Sequence, residues 1–264
     1  MKAYKSKYRY ERKFFVSNDN LEALRNRLLP FVKPDDFTNK NAGGISEYKV
    51  QSIYFDTPNM RFYEEKKDGL EFRNKFRIRS YDTYNEGCLA FLEIKVKSGD
   101  RISKVRAPYY FDQSNELLNY GLMDGIVKPM KGFEDAEEAA NKYLYHHFGS
   151  SLRPMNLVVY EREAYMGLFD KDIRITFDKN VRTALYPKMN ELFECERLKY
   201  LNNSAFVFEV KYSNSPPNWV FNLVEEFSLK LKAISKYADG IDTHIENRRT
   251  RLSPIGFSSL NYIK

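Results

Sequence analysis

Short segments in which charged and apolar residues alternate recur along the chain, and residues 75–81 and 91–97 carry the clearest examples. Successive side chains of a β-strand point to opposite faces of the sheet. Arg77 and Arg79 therefore share one face of the first strand, and apolar residues fill the other. A single strand of this kind is typical of an antiparallel sheet with one face on a core and one in water. Because the pattern recurs in strand after strand, it indicates that the charged face has a function of its own.

The same alternation predicts strands over residues 8–16, 48–55, 75–81, 91–97, 101–111, 157–165, 172–178 and 205–212. Apolar residues at helical spacing predict helices over residues 21–29 and 216–232, and the residue pattern also predicts helices over residues 113–120, 134–148 and 244–251. The polar run over residues 61–67 predicts a short exposed helix. A turn-rich stretch is expected over residues 235–240. No low-complexity tract or linker interrupts the sequence, so we expect a single domain over residues 1–264.

Composition adds an expectation about the partner. The chain has 264 residues, of which 42% are hydrophobic and 30% charged, and it is long enough to bury a sizeable core. Its formal net charge is +7, which favours an anionic partner. Net charge alone does not distinguish nucleic acid, a membrane surface and small phosphates.

Cysteine usage and hydropathy bear on localisation. Cys88 and Cys195 are too few and too isolated for a disulfide framework or a zinc site, so reduced thiols in a cytoplasmic protein are expected. No apolar run approaches the roughly 20 residues that span a bilayer. The first residues lack the apolar core of a signal peptide. We therefore expect a chain that is neither secreted nor inserted in a membrane.

The recurrence of the charged face can be explained if the strands close into a barrel with that face inward. Its basic residues would then line a cavity: Lys13, Arg77, Arg79, Lys95, Lys104, Arg106, Arg162, Arg174, Lys211 and Lys236. The acids on this face are fewer, chiefly Glu11, Glu93 and Glu209. Each unpaired buried ion costs several kcal/mol, against a total stability of about 5–15 kcal/mol. Such a cavity must contain water and favour an anion, and amphipathic helices would cover the apolar faces outside.

Polyphosphate fits this set of residues best. Arginine offers paired donors to phosphate oxygens, and lysine offers a compact charge. Phosphoryl transfer also needs a divalent metal that neutralises developing charge. Glu209, with Glu11 and Glu93 in reserve, could supply oxygen ligands for Mg²⁺ or Mn²⁺. The sequence contains neither a P-loop motif nor a Rossmann glycine motif.

Eight short motifs resemble those of a known family. They are Glu11-Arg-Lys-Phe, Tyr54-Phe-Asp-Thr, Phe76-Arg-Ile-Arg, Leu92-Glu-Ile-Lys, Val159-Tyr-Glu-Arg, Ile173-Arg-Ile-Thr-Phe-Asp, Phe208-Glu-Val-Lys-Tyr and Ser235-Lys-Tyr. They occur in the order seen in VTC domains, the polyphosphate-polymerase modules of the triphosphate tunnel metalloenzyme, or CYTH-like, superfamily. The resemblance extends over about residues 8–249. It implies an α+β fold, in which eight antiparallel strands close into a tunnel with a charged lumen and helices pack outside.

The resemblance also implies an activity and roles for residues. The γ-phosphate of ATP would be transferred to a growing polyphosphate chain. The residues that would bind the triphosphate and the product are Lys13, Arg77, Arg79, Lys95, Arg162 and Arg174, with Tyr160 beside them. Glu209 would hold the metal, and Ser235 and Lys236 would contact phosphates. The remaining candidates for substrate binding share the charged face: Lys104, Arg106 and Lys211.

One position departs from the wider superfamily, and other functions remain open. Arg9 replaces the first acid of the Glu-x-Glu-x-Lys opening, which disfavours a second metal site and favours a polymerase over a hydrolase. The alternatives are a tunnel triphosphatase, acting on inorganic or nucleoside triphosphate, and a non-catalytic binder of polyphosphate or RNA. RNA binding normally needs aromatic platforms among the basic residues. Most aromatics are expected on the opposite face, so ATP and polyphosphate, and no nucleic acid, are the expected partners.

Overall fold

The computed structural model of the protein describes residues 9–35, 47–81 and 83–252. Its strands are β1 (Arg9–Ser17), β2 (Val32–Pro34), β3 (Glu47–Asp56), β4 (Phe72–Ser80), β5 (Leu89–Ser98), β6 (Arg101–Tyr110), β7 (Arg153–Gly167), β8 (Arg174–Leu185), β9 (Lys199–Tyr200) and β10 (Ala205–Tyr212). Its α-helices are α1 (Leu21–Leu28), α2 (Arg61–Lys67), α3 (Ser114–Tyr120), α4 (Ala136–Gly149), α5 (Asn218–Glu226) and α6 (Lys236–Leu252). None of these helices is long and apolar enough to cross a membrane.

Eight of the strands form a closed ring of hydrogen-bonded neighbours. They follow the order β7, β3, β4, β5, β6, β1, β10, β8, and β8 pairs again with β7. All of these pairings are antiparallel, and the pairing of β1 with β6 is confined to Arg9↔Ile102 and Tyr10↔Arg101. The short strands β2 and β9 extend the sheet from β7 and β8. The eight ring strands are those predicted from the sequence, whereas β2 and β9 were not predicted.

Apolar side chains from one face of the ring pack against helices. Phe76, Leu92 and other residues of β4, β5 and β6 form a buried cluster with Tyr143 of α4 and Leu117 of α3. A second cluster joins β1, β8 and β10 to Leu24 of α1 and to α5. The helices that cover these clusters therefore lie on the apolar face, as predicted.

Helix α6 is the exception, because it packs on the charged side of the ring. Its residues Tyr237 and Ile241 are buried in a third cluster with Val158, Tyr160 and Tyr54. The prediction that all helices cover the apolar faces is therefore wrong for α6. Gly240 permits the close approach, since a Cβ there would come within 2.6 Å of Asn156 Nδ2.

The start of α6 also differs from the expected turn. Ser235 caps the helix: its Oγ accepts a hydrogen bond from the Ala238 amide, and its own amide donates to Asp239 Oδ2 at 3.0 Å. The helix expected over residues 216–232 ends at Glu226. The chain beyond it runs along β1, where the Lys232 amide donates to the Lys13 carbonyl. Tertiary contacts thus override the local pattern in both places.

A buried carboxylate joins the second and last helices to the ring. Asp56, at the end of β3, accepts hydrogen bonds from the amides of Thr57, Phe62 and Tyr63 and from the hydroxyl of Tyr237 at 2.5 Å. It thereby caps α2 and fixes the start of α6. The motif Tyr54-Phe-Asp-Thr thus meets the motif Ser235-Lys-Tyr in the fold, because Tyr54 stacks on Tyr237 with ring centroids 5.2 Å apart.

Candidate functional site

The predicted strand residues share the face of the ring opposite the two helix-covered clusters, and we call it the charged face. It carries Glu11, Lys13, Arg77, Arg79, Glu93, Lys95, Lys104, Arg106, Tyr160, Arg162, Arg174, Glu209 and Lys211. Ser235 and Lys236 reach it from the start of α6. Some contacts span an intervening strand: Lys95 Nζ lies 2.8 Å from Glu11 Oε2, and Arg162 Nη2 lies 3.6 Å from Glu209 Oε2.

Two buried arginines of β4 have different partners. Arg77 Nε donates to Glu93 Oε2 at 2.5 Å, and its Nη1 donates to the Tyr54 hydroxyl at 2.8 Å. Arg79, only 4% exposed, donates to Ser52 Oγ at 2.9 Å and to the Tyr160 hydroxyl. The charge of Arg77 is therefore balanced by a carboxylate, whereas the hydrogen-bond partners of Arg79 in the described part of the chain are hydroxyl groups.

Glu93 lies between two guanidinium groups rather than beside the other predicted metal ligands. It forms ion pairs with Arg77 and Arg106 and is fully buried. Burial would raise the pKa of Glu93, but Arg106 and Arg77 hold it well below its usual value. The structure therefore places Glu93 as an ion-pair partner that positions arginines, apart from Glu11 and Glu209.

Glu11 and Glu209 do come together, on the neighbouring strands β1 and β10. Lys13 Nζ lies 3.4 Å from Glu11 Oε2 and 3.6 Å from Glu209 Oε1, and Lys211 Nζ lies 3.5 Å from Glu209 Oε2. Burial and Glu209 would raise the pKa of Glu11, but Lys95, Lys13 and Lys211 lower it to about 2. The Glu11 carboxylate is therefore ionised at neutral pH.

These two carboxylates fit one kind of metal site. Within the described residues there is no group of three or more His, Cys, Asp and Glu side chains that could hold a metal ion. Mg²⁺ is usually held by one or two carboxylates, with water and substrate phosphates completing its coordination. Glu11 and Glu209 suit such a shared site, in which the phosphates bring the remaining oxygens.

Asp178 and Lys75 belong to the charged face although neither was predicted as a site residue. Asp178 accepts hydrogen bonds from Arg162 Nε at 2.6 Å and from Lys236 Nζ at 2.5 Å, and so joins β7, β8 and α6. Lys75 Nζ donates to Ser235 Oγ at 2.7 Å. The alternation in the sequence indicates that both residues belong to this face, because Lys75 lies two positions before Arg77, and Asp178 lies on the same face as Arg174.

The environment of Lys75 disfavours its charge. Burial, together with the neighbouring ammonium groups of Lys13 and Lys95, lowers the pKa of Lys75 well below its usual value. Its hydrogen-bond acceptor in the described structure is a neutral hydroxyl. An anion placed here would favour the charged form of this lysine.

A cavity of about 560 Å³ opens at one end of the charged face. Its lining includes Arg9, Glu11, Arg174 and Lys211. Arg174 is held at this end by Asp35, whose Oδ2 accepts from its Nε at 2.9 Å. The cavity is within the size range of small-molecule sites in proteins.

Several tyrosines lie among the basic residues of the charged face, and they include Tyr160, which was expected there, and Tyr81, which was not singled out. The guanidinium carbon of Arg162 lies 5.1 Å from the ring centroid of Tyr160, and that of Arg106 lies 5.6 Å from Tyr81. Tyrosine has a polar hydroxyl and an apolar ring, so it suits either face of a strand. Aromatic rings therefore lie among the basic residues of this face as well as on the opposite one.

Together, the ring and its charged face define an α+β protein in which eight antiparallel strands carry a buried, mainly cationic site. The chain belongs to the VTC domain family, whose model matches residues 8–245. The chain is 22% identical over 277 residues to the vacuolar transporter chaperone complex subunit 4 of Schizosaccharomyces pombe. That alignment covers 91% of this chain and 38% of the relative, so the chain spans about two fifths of the relative's length.

Two solved structures resemble the fold. A putative adenylyl cyclase from Hippeastrum, described as having a dominant triphosphatase activity, has a TM-score of 0.50 and 14% identity, covering 89% of this chain and 95% of the other. A putative adenylate cyclase from Bacillus halodurans has a TM-score of 0.47 and 11% identity, with 86% and 92% covered. At 14% identity, the likeness to the Hippeastrum protein concerns the fold alone.

Proposed function

We propose that this protein is a polyphosphate polymerase whose charged face lines a tunnel. It transfers the γ-phosphate of ATP to the end of a polyphosphate chain and uses Mg²⁺ or Mn²⁺. The bond between the γ-phosphorus and the bridging oxygen of ATP breaks, a terminal oxygen of the polyphosphate bonds to that phosphorus, and ADP leaves. The observation that carries the proposal is the buried excess of cations on the charged face.

The contacts that span an intervening strand support an inward charged face. Lys95 on β5 reaches Glu11 on β1, although β6 lies between their strands in the ring. Arg162 on β7 likewise reaches Glu209 on β10, with β8 between them. In a closed ring, side chains two strands apart approach each other on the concave side and diverge on the convex side.

The charge balance supports an anionic ligand with several phosphates. Glu93, Asp178, Glu11 and Glu209 are all engaged by cations, yet Arg79 and Lys75 have hydroxyl partners. A buried charge without a counter-ion costs several kcal/mol, so a polyanion along this face would recover that energy. Arginine and lysine are also the side chains that best bind phosphate oxygens.

The basic and acidic residues of the charged face would have different roles. Arg77, Arg79 and Lys75 would hold phosphate oxygens in place, since their donors point into the charged face from one strand. Glu11 and Glu209 would hold the metal ion, which neutralises charge on the transferring phosphoryl group when bound. Phosphoryl transfer of this kind depends on positioning and charge stabilisation, and needs little covalent chemistry from the protein.

A tunnel triphosphatase is the second candidate, because the Hippeastrum protein of similar fold is described as a triphosphatase. The two reactions differ in whether a phosphate terminus or a water molecule attacks. Arg9 favours the first, since it lines the cavity beside Glu11 and attracts an anionic terminus. Superfamily hydrolases resemble one another in having an acid at this position.

Replacement of Arg9 by Glu tests this choice. The variant should convert ATP to ADP with a larger fraction of free orthophosphate, because the new carboxylate repels the phosphate terminus and can accept a proton from an attacking water molecule. The ratio of polymer to orthophosphate, measured by electrophoresis and a phosphate assay, is the readout. Arg9→Gln is the control that removes the cation without adding an acid, and it should show a smaller shift. An unchanged ratio in Arg9→Glu would show that Arg9 does not determine whether a phosphate terminus or a water molecule attacks.

Binding of tripolyphosphate should be coupled to the protonation of Lys75. The pKa of Lys75 is depressed in the free protein, and a bound polyanion raises it, so protons are taken up on binding at any pH between these two values. Affinity should consequently fall as the pH rises from neutral toward the usual pKa of lysine. Calorimetry in two buffers of different ionisation enthalpy measures the uptake.

Two lysine variants provide the controls for this uptake. Lys75→Met should reduce the number of protons taken up, whereas Lys67→Met should not, because Lys67 is an exposed residue that already forms an ion pair with Asp242. Equal binding enthalpies in the two buffers at every pH between neutral and the usual pKa of lysine would contradict the depressed pKa of Lys75.

A further inference from the structure

The cavity at the end of the charged face has walls of two different kinds. Cationic side chains, including Lys104 and Arg106, line it toward the ring, and Phe133, Glu134 and Asp135 line it on the outer side. Phe133 is partly buried against the core cluster and precedes α4. A bare polyphosphate chain has no apolar part, so an aromatic wall beside cations suits a ligand that combines phosphates with a flat ring.

Glu134 and Asp135 give the outer side of the cavity a negative charge, opposite to the positive charge of its inner side. Glu134 Oε1 accepts a hydrogen bond from the Gly132 amide at 2.8 Å, which lowers the pKa of Glu134. Both carboxylates lie at the exposed rim, where they repel a phosphate chain and can accept hydrogen bonds from hydroxyl or amino groups. The cavity therefore matches a ligand that is anionic at its inner end and neutral at its outer end.

Phe133 is also connected to the phosphate-binding arginines through a short series of contacts. The guanidinium carbon of Arg106 lies 6.0 Å from the centroid of Phe133 and 4.9 Å from that of Phe91. Arg106 in turn forms an ion pair with Glu93, which also binds Arg77. A ring resting on Phe133 would thus have its attached phosphates directed over Arg106 toward Arg77.

We propose that this cavity binds the nucleoside end of the phosphate donor, with the base against Phe133 and the sugar hydroxyls toward Glu134 and Asp135. The donor then enters the charged face from this end with its triphosphate foremost. The inference rests on the proposed use of ATP as donor, and it adds the residues that distinguish a nucleoside triphosphate from an inorganic one. Phe133 is a binding residue in this account and takes no part in the transfer itself.

Binding of ATP and of tripolyphosphate, measured by calorimetry in EDTA so that neither ligand turns over, tests the proposal. Phe133→Ala should weaken ATP binding about tenfold, within the range of base–aromatic stacking, and change tripolyphosphate binding less than about twofold. Phe133→Leu, which keeps the apolar volume and protects the fold, should weaken ATP binding in the same selective way. Phe72→Ala removes an aromatic side chain that is 68% exposed and absent from the cavity lining, and it should change neither affinity.

A second pair of variants tests the acidic rim. Glu134→Gln and Asp135→Asn should each strengthen tripolyphosphate binding, since a repelling charge is lost, and should not strengthen ATP binding to the same degree. Equal losses for ATP and tripolyphosphate in Phe133→Ala and Phe133→Leu, or no loss for either ligand, would overturn the nucleoside site.

The experiment on the nucleoside site can succeed or fail independently of the proposed polymerase function. Polymer formation from ATP together with equal losses in the Phe133 variants would refute the nucleoside site and leave the polymerase intact. Selective loss of ATP binding in a protein that releases only orthophosphate would refute the polymerase and support the nucleoside site.

Discussion

Glu209→Gln should lower the turnover of ATP by roughly two to three orders of magnitude, the scale seen when one group that stabilises transition-state charge is lost. The substitution keeps the shape of the side chain and removes the charge that would hold a divalent metal ion beside Glu11. Tripolyphosphate affinity in EDTA should be unchanged or slightly stronger, because a negative charge is removed from a site that binds an anion. Steady-state rates with ATP, and calorimetry without metal, provide the two measurements.

Glu163→Gln is the matched control for this prediction. Glu163 is also a buried glutamate on a ring strand, but it pairs with Arg25 and Lys179 away from the charged face. Its replacement should lower thermal stability and leave the rate per folded molecule near that of the unmutated protein. A near-normal rate in Glu209→Gln, measured at saturating Mg²⁺ and Mn²⁺, would show that Glu209 does not bind the metal ion.

Arg79→Ala should weaken tripolyphosphate binding by about 1.5–3 kcal/mol, the scale of a hydrogen bond to a charged group, or roughly 10- to 150-fold. The melting temperature should change little, because the partners of Arg79 are the hydroxyls of Ser52 and Tyr160. These hydroxyls can accept hydrogen bonds from water when the guanidinium group is removed. Arg77→Ala differs, since it removes a buried partner of Glu93 and should destabilise the fold as well. Affinity and melting temperature measured on both variants separate the two roles.

Arg25→Ala serves as the structural control for these arginines. Arg25 is bound to Glu163 through two hydrogen bonds, at 2.9 and 2.7 Å, outside the charged face. The variant should lose stability and keep its affinity for tripolyphosphate. If Arg79→Ala behaves like Arg25→Ala, with a lower melting temperature and unchanged affinity, Arg79 is a structural residue and the anion site lies elsewhere.

The alternation of residue types was sufficient to predict the ring strands and the face on which Arg77, Arg79 and Glu93 lie, because a strand has a period of two residues. It did not assign Tyr54 to the charged face, because a tyrosine has a ring and a hydroxyl and so suits either face of a strand. It also failed for the start of α6, where Ser235 resembles a turn residue and acts as a helix cap. Local pattern cannot distinguish these uses of the same residue.

The grouping of the carboxylates could not be predicted from local sequence at all. Glu11, Glu93 and Glu209 have equivalent positions in their own strands, yet only Glu11 and Glu209 meet. Their strands β1 and β10 are neighbours in the ring, although Glu11 and Glu209 are 198 positions apart in a chain of 264 residues. Strand order depends on packing between distant segments, and for this reason the role of Glu93 as a partner of Arg77 became evident only in the folded structure.

The most direct test of a polymerase tunnel is to incubate the unmutated protein with ATP labelled at the γ-phosphate, in Mg²⁺ and in Mn²⁺, and to separate the products by electrophoresis. We expect ADP to accumulate together with labelled polymer longer than the donor triphosphate, and little of the label to appear as orthophosphate. Release of one orthophosphate for each ADP, with no polymer in either metal, would contradict the account and assign the charged face to a triphosphatase.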